Sequence, residues 1–377
     1  MSPLEAHLRA RLEERTAAGN LRQLQTGTPA IDFYSNDYLG LATCGILDAA
    51  IAAMPHSGAM SGSTGSRLIS GNTAAAEALE AMIAGFHRAP AALLFNSGYN
   101  ANVGLIAAVA AKDTVLLYDE LSHASIIDGV RLAVCSRKYK FRHNDLEDLA
   151  AKLRMHAGGQ VLVITESVFS MDGDVAPLAD KVVLCEQYGA QLIVDEAHAT
   201  GVCGPRGEGL VVAAGLQDRV FARVHTFGKA MGCHGAAVVG SKVLKQYLVN
   251  FARPFIYTTA LPGHAIAAAT AAYQQLLSPG FSTATLLGVV ATFKEAIRQA
   301  GTPGWIDAPY AIQGWMPGGN DRCKAAAARL QAAGYGVKAI LSPTVPAGKE
   351  RLRICLHSFN TVGEIAGLVE RLGEMRK

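Results

Sequence analysis

LIVDEAHATG, residues 192–201, runs three apolar residues into an acid, Asp195, and places His198 three positions beyond it. An apolar run that stops at a charge reads as a buried strand ending at a polar edge. Similar runs occupy 92–95, 115–118 and 161–165 before it and 223–226 and 236–239 after it, while 191–194 leads directly into Asp195. Between most of these runs lie stretches with helical spacing, such as 100–111, 144–155 and 179–188. Short apolar strands alternating with helices predict an α/β domain around a largely parallel sheet, with helices on both faces. The binding crevice of such a sheet lies off the carboxyl ends of its strands.

The flanks are different. Residues 4–17 space Leu4, Leu8 and Leu12 by four with charges between, the pattern of an amphipathic surface helix. IDFYSNDYLGL (31–41) reads as extended and ends in turn chemistry at Asn36-Asp37 and Gly40. SGAMSGSTGSRLISG (57–71) has four glycines and reads as a loop. Residues 264–277 predict a long helix that SPG (278–280) ends. In RLRICLH (351–357), Leu352, Ile354 and Leu356 fall on one face of a strand, with Arg351, Arg353, Cys355 and His357 on the other. The expected division is 1–50, an N-terminal helix and extended segment; 51–280, a large α/β domain; and 281–377, a smaller α+β domain.

Composition narrows the partners. Half of the 377 residues are hydrophobic and 17% charged; 34 basic against 31 acidic residues leave a net charge of +3 without a block of either sign. That balance gives no field for nucleic acid or a membrane surface. The seven cysteines are scattered without a CxxC pair, which predicts reduced thiols and no metal site. MSPLEAHLRARLEERTA is charged throughout and has no apolar core of the secretory kind, so the expected location is cytoplasmic.

Polar residues collect at the predicted strand ends. FNSGYNAN (95–102) opens a helix after the first run, and its exposed amides with Ser97 and Gly98 suit a phosphate; a plain capped strand-to-helix turn is the alternative. Asp195 can fix a protonated heterocyclic nitrogen, and His198 can donate to a neighbouring oxygen. DEAH also occurs in nucleotide-hydrolysing helicases, but that reading needs GxxxxGK[ST]. The nearest string, Gly235 to Lys242, has Ser241 where the motif requires lysine. VHTFGKAMG (224–232) ends a strand in Thr226 and sets Lys229 between two apolar runs. A desolvated lysine loses proton affinity and becomes an amine able to form an imine. An anion cradle, an acid for a ring nitrogen and an imine-forming lysine have one economical joint explanation, pyridoxal 5'-phosphate (PLP).

With these motifs the chain resembles the α-oxoamine synthases, PLP-dependent transferases of fold type I. The resemblance runs from about Asp32 to the C-terminus. It includes NDYLGL (36–41), SGSTGSRLISGN (61–72), FNSGYNAN, LSHAS (121–125), ESVFSMDGD (166–174), DEAHATG (195–201), HTFGKAMGCHGAAVVGS (225–241), RPFIYTTALP (253–262) and PTVPAGKERLRICLH (343–357). Ala199 departs from the expected DEAHGTG but removes no catalytic group.

The resemblance implies that Lys229 carries the cofactor and removes the substrate's α-proton, and that Asp195 pairs with the ring nitrogen. It implies further that His198 and Ser170 bond the phenolic oxygen and that His123 stacks on the ring. Ser97, Gly98 and Tyr99 would lie at the phosphate or ring edge, with Thr226 assisting. Thr258 and Thr259 would reach a phosphate across a homodimer interface; two β-branched residues of an ordinary strand are the plain alternative. Arg353 would bind the substrate carboxylate, with Asn36 in the same pocket. The implied reaction is a decarboxylative condensation of L-alanine with a pimeloyl thioester, on CoA or acyl carrier protein, giving 8-amino-7-oxononanoate for biotin. Sister reactions use glycine with acetyl- or succinyl-CoA, or serine with palmitoyl-CoA, but TFGKAMGCHGAAVVGS and RPFIYTTALP resemble the alanine branch more closely. A PLP-fold binding protein without catalysis would not need the full set of Lys229, Asp195, His198 and His123.

Overall fold

The computed structural model describes residues 1–24, 26–27, 29–53 and 61–375. After a two-residue strand, β1 (Ile31–Asp32), the apolar runs become strands of one sheet. They are β2 (Ala91–Phe95), β3 (Val115–Asp119), β4 (Arg137–Phe141), β5 (Val161–Glu166), β6 (Gln191–Asp195), β7 (Ala222–Thr226) and β8 (Ala236–Gly240). Their order is β2-β8-β7-β6-β5-β3-β4, and β8 runs antiparallel to both neighbours while β3 to β7 pair in parallel.

The apolar runs are continuous because both faces of the sheet are covered. On one face, Leu105 and Ile106 of the helix Gly98–Val109 and Ile126 and Val130 of Ala124–Leu132 pack against Leu116, Ile164 and Val224. On the other, Leu149 and Val182 of the helices Leu146–Met155 and Leu178–Gln187 meet Val163 and Val194. Each fully buried side chain of this kind contributes about 1.5–3 kcal/mol. Strand β4 was not expected. Its sequence, RKYKF, buries only Phe141 and lies at the sheet edge, where charged residues discourage pairing with another chain.

A second, antiparallel sheet orders β9 (Ile312–Trp315), β11 (Lys338–Ile340) and β12 (Arg351–Cys355) as β11-β12-β9. Leu352, Ile354 and Leu356 enter a cluster with Phe33, Phe293, Leu330 and Leu368. Phe33 follows β1, which pairs in parallel with β10 (Tyr335–Gly336), so the N-terminal extended segment is laid against the C-terminal layer. The opposite face of β12 is polar as expected but not solvated: Arg351 is 3% and Arg353 8% exposed.

The helix Pro3–Ala17 begins in a capping box between Ser2 and Glu5, and its leucine stripe faces solvent in the single chain. Residues 61–71 of the expected glycine loop are turns and bends, whereas 57–60 lie outside the described residues. No described helix is long and apolar enough to cross a membrane.

Candidate active site

Asp119, Glu166, Asp195 and Thr226 end β3, β5, β6 and β7, and Glu166 sits in register with Asp195. Asp195 is 6% exposed. Its Oδ2 accepts from Asn102 Nδ2 at 2.7 Å and its Oδ1 from the Ala197 amide at 2.8 Å. Asn102 Nδ2 also donates to Ser125 Oγ at 3.0 Å. The Ser125 hydroxyl then turns to His123 Nδ1, 2.8 Å away, which also accepts from the Ser125 amide at 3.2 Å. With Nδ1 accepting twice, the imidazole proton belongs on Nε2. Burial lowers the pKa of His123, against the pull of Asp195, and so favours this neutral ring. Glu166 Oε1 fixes the same residue by accepting from the His123 amide at 2.6 Å. Burial, reinforced by the Asp195 charge, pushes Glu166 up to about 8.

Lys229 follows β7 and places Nζ 2.7 Å from His198 Nε2. Burial lowers its pKa to about 8 although Asp195 and Glu166 attract its charge, so near neutrality a useful fraction is free amine. His198 Nδ1 lies 2.8 Å from the Tyr38 hydroxyl. Arg353 enters from β12. Its Nη2 donates to Asn36 Oδ1 at 3.0 Å, its Nε to the Ser170 carbonyl at 2.6 Å and its Nη1 to Cys355 Sγ at 2.9 Å. Arg351, on the same strand face, is instead paired with Asp172.

The helix Gly98–Val109 starts beside this group. Ser97 is its N-cap and accepts from the Asn100 amide at 3.2 Å. A Cβ on Gly98 would lie 3.2 Å from Thr226, so glycine allows close approach at the helix start. Tyr99 is 44% exposed and its hydroxyl turns outward to Asp128. Thr258 and Thr259 are not in a strand; they follow the short helix Arg253–Ile256, where Asn96 Nδ2 donates to the Thr259 carbonyl at 2.8 Å. PLP needs a cradle for its phosphate, a carboxylate for its ring nitrogen and an amine for its aldehyde. The exposed helix start, the buried Asp195 and the depressed Lys229 fit all three.

The loops on either side are held by a second charge cluster absent from the sequence expectations. His143 lies between Asp119 Oδ1 at 2.8 Å and Asp174 Oδ2 at 2.7 Å. Lys181, fully buried, donates to Asn144 Oδ1 and Thr165 Oγ1, both at 2.9 Å. Burial would lower the pKa of His143, but its two carboxylate partners outweigh that and raise it to about 10. A raised native pKa stabilises the fold fully below the unfolded value, about 6.5, and the benefit fades as pH climbs through about 10. His143→Leu should therefore cost about 3–5 kcal/mol at pH 6. In urea melts the difference from wild type should shrink steadily toward pH 10; a pH-independent difference would refute the ion-pair account.

Of the residues expected from sequence, Lys229, His198, Asp195, His123, Asn36 and Arg353 converge on one constellation, and Ser97, Gly98 and Thr226 border it. Ser170 joins through its carbonyl, while Tyr99 and Thr259 face outward. Tyr38, Asn102, Ser125 and Glu166 were not expected.

The family model for class I and II aminotransferases matches residues 28–372. An 8-amino-7-oxononanoate synthase from Emericella nidulans is 42% identical over 374 residues, 91% of this chain and 88% of its own. Serine palmitoyltransferase from S. paucimobilis, solved with a bound PLP–myriocin aldimine, has a TM-score of 0.89 at 26% identity, covering 100% of this chain and 98% of that one. The 8-amino-7-oxononanoate synthase of Francisella tularensis has a TM-score of 0.76 at 27% identity, covering 91% of this chain and 97% of its own. The fold is thus shared with both serine palmitoyltransferase and 8-amino-7-oxononanoate synthase, while the 42% identity is to a protein of the latter name. The chain belongs to the aminotransferase class I and II family, in its 8-amino-7-oxononanoate synthase branch, and depends on pyridoxal phosphate.

Proposed function

We propose that the protein condenses L-alanine with a pimeloyl thioester, on CoA or acyl carrier protein, to give 8-amino-7-oxononanoate, CO₂ and the free thiol in biotin synthesis. The observation that carries this reading is the constellation itself: a lysine of depressed pKa lies one histidine and one tyrosine from a buried arginine, beside a buried carboxylate. Bound PLP supplies the electron sink for the carbon–carbon bond-forming chemistry. Asp195 would hold the ring nitrogen protonated, with Asn102 and Ala197 fixing the carboxylate's orientation. His123 would cover one face of the ring, and His198, with Ser170, would donate to its oxygen. Ser97, Gly98, Tyr99 and Thr226 would receive the phosphate, and Thr258 and Thr259 would reach that of the partner subunit in a cytoplasmic homodimer.

Arg353, oriented by Asn36, would bind the alanine carboxylate. Lys229 would first hold the cofactor and then take the α-proton. The freed electron pair bonds alanine Cα to the thioester carbonyl carbon, and the C–S bond breaks to release the thiol. Loss of CO₂ leaves an electron pair on the same carbon, which Lys229 would reprotonate. Orienting these groups in a shielded site is the protein's contribution to rate.

The test is an absorbance titration of PLP-loaded protein with L-alanine, glycine and L-serine, followed by pimeloyl-CoA and mass analysis of the product. A band shift with alanine, and an amino-oxononanoate only after pimeloyl-CoA, are expected. Turnover of glycine or serine with another thioester would move the protein to a sister reaction. Absence of a protein-bound imine band once free PLP is removed would overturn the reading.

A further inference from the structure

Tyr38 has no part in the chemistry above, yet its hydroxyl is buried where Arg353 meets His198. The residue is 1% exposed. Its oxygen lies 2.8 Å from His198 Nδ1, 3.1 Å from Asn36 Oδ1 and 3.4 Å from Arg353 Nη2. A guanidinium has no lone pair to offer, so Arg353 donates to that oxygen. The single hydroxyl proton then has two destinations, Asn36 Oδ1 or His198 Nδ1.

His198 is neutral, because burial and then the charges of Lys229 and Arg353 hold its pKa well below the ordinary range. A neutral ring carries one proton. If the hydroxyl proton goes to Asn36, His198 is protonated on Nδ1 and its Nε2 accepts from Lys229. If it goes to His198, the ring proton sits on Nε2 and faces Lys229 Nζ, which must then be a free amine. The 2.8 Å contact to His198 is a hydrogen bond in either arrangement, with the donor reversed; what separates them is that Asn36 Oδ1 is already served by Arg353 Nη2 at 3.0 Å and does not need the hydroxyl proton. The second arrangement also runs every donor one way, from guanidinium through hydroxyl and imidazole to amine, and bonds so aligned polarise one another.

We infer that Tyr38 is a positioning residue: its hydroxyl favours the Nε2–H tautomer of His198, and so favours the free-amine form of Lys229 while tying it to the Arg353 carboxylate site. The inference rests on the reading of Lys229 as the cofactor lysine. Other groups also act on this amine. Asp195, Glu166 and Cys355 favour its charged form, whereas Arg353 opposes it and His123 interacts with it from the cofactor side. The same Nε2–H is the donor that a cofactor oxygen beside His198 requires.

The test is ¹⁵N NMR of histidine-labelled full-length protein, cofactor-free and PLP-loaded, with His198 assigned by the signal lost in His198→Gln. It is paired with the pH dependence of PLP capture by the cofactor-free chain. Wild type should show His198 as the Nε2–H tautomer above about pH 8, where the amine is mostly free. Tyr38→Phe should release that tautomer and raise the pH midpoint of capture by about 0.5–1 unit, the equivalent of one lost hydrogen bond. An Nδ1–H tautomer in wild type above that pH, a measurement that needs no variant, would overturn the inference. So would a Tyr38→Phe protein with tautomer and midpoint both unchanged. Wild type that captures no PLP would instead remove the functional reading, while the cofactor-free spectrum still reports the tautomer.

Discussion

Lys229→Ala is expected to lower turnover by at least ~10⁴-fold, because one substitution removes both the amine that holds the cofactor and the base that moves the α-proton. The effect should be chemical rather than structural. The side chain is half-buried, its contact is the polar one to His198, and truncation leaves no apolar cavity in the sheet. Stability should change by about 1 kcal/mol or less in a urea melt. Wild type, with its amine near a pKa of about 8, should capture PLP faster as pH rises through that value, since the free amine is the nucleophile. The variant should show no such profile. Lys229→Arg separates charge from chemistry: it keeps a cation beside Asp195 but offers no nucleophilic amine, and should be as inactive as alanine. A Lys229→Ala protein with turnover within tenfold of wild type would remove Lys229 from the mechanism.

How much of this was legible depended on how each residue announces itself in a linear chain. Strands buried on both faces appear as apolar runs, so six of the central strands were readable to within a residue or two. The edge strand β4 buries one side chain of five and leaves no run to read. Asp195 and Lys229 stood out as polar residues beside apolar strands. Glu166 carries the same signal, ending VLVITE as Asp195 ends QLIVD, but the predicted strand stopped one residue short of it. Asn102 had no local sign, because its function is a contact with Asp195 across 93 positions of sequence. Tyr38 meets His198 across 160. Arg351 and Arg353 were indistinguishable by alternation, and only the positions of Asp172 and Asn36 separate them.

Asp195→Asn tests both the electron sink and the surrounding hydrogen bonds. The charge that would keep the ring nitrogen protonated is lost, and kcat should fall about 10³-fold, the scale for removing a preorganised electrostatic partner. KM for alanine should change little, since Arg353 binds the carboxylate from a different strand. The new amide cannot simply replace the old carboxylate. Asp195 now accepts one donor at each oxygen, from Asn102 Nδ2 and the Ala197 amide. An asparagine there must turn its NH₂ toward one of them, setting donor against donor in a buried site at a cost of about 1–3 kcal/mol. Asn102 has one escape, because its Oδ1 is buried without a partner among the described residues. Flipping its amide would let that oxygen accept from the new asparagine, but would withdraw Nδ2 from Ser125. The Ser125 hydroxyl would no longer be confined to His123 Nδ1, and the tautomer of His123 would loosen. Asp195→Asn should therefore change the ¹⁵N signature of His123, two hydrogen-bonded residues away, as well as kcat. A fall of less than tenfold in kcat would remove Asp195 from its role. A large fall with the His123 signal unmoved would leave the charge essential and break the proposed relay through Asn102 and Ser125.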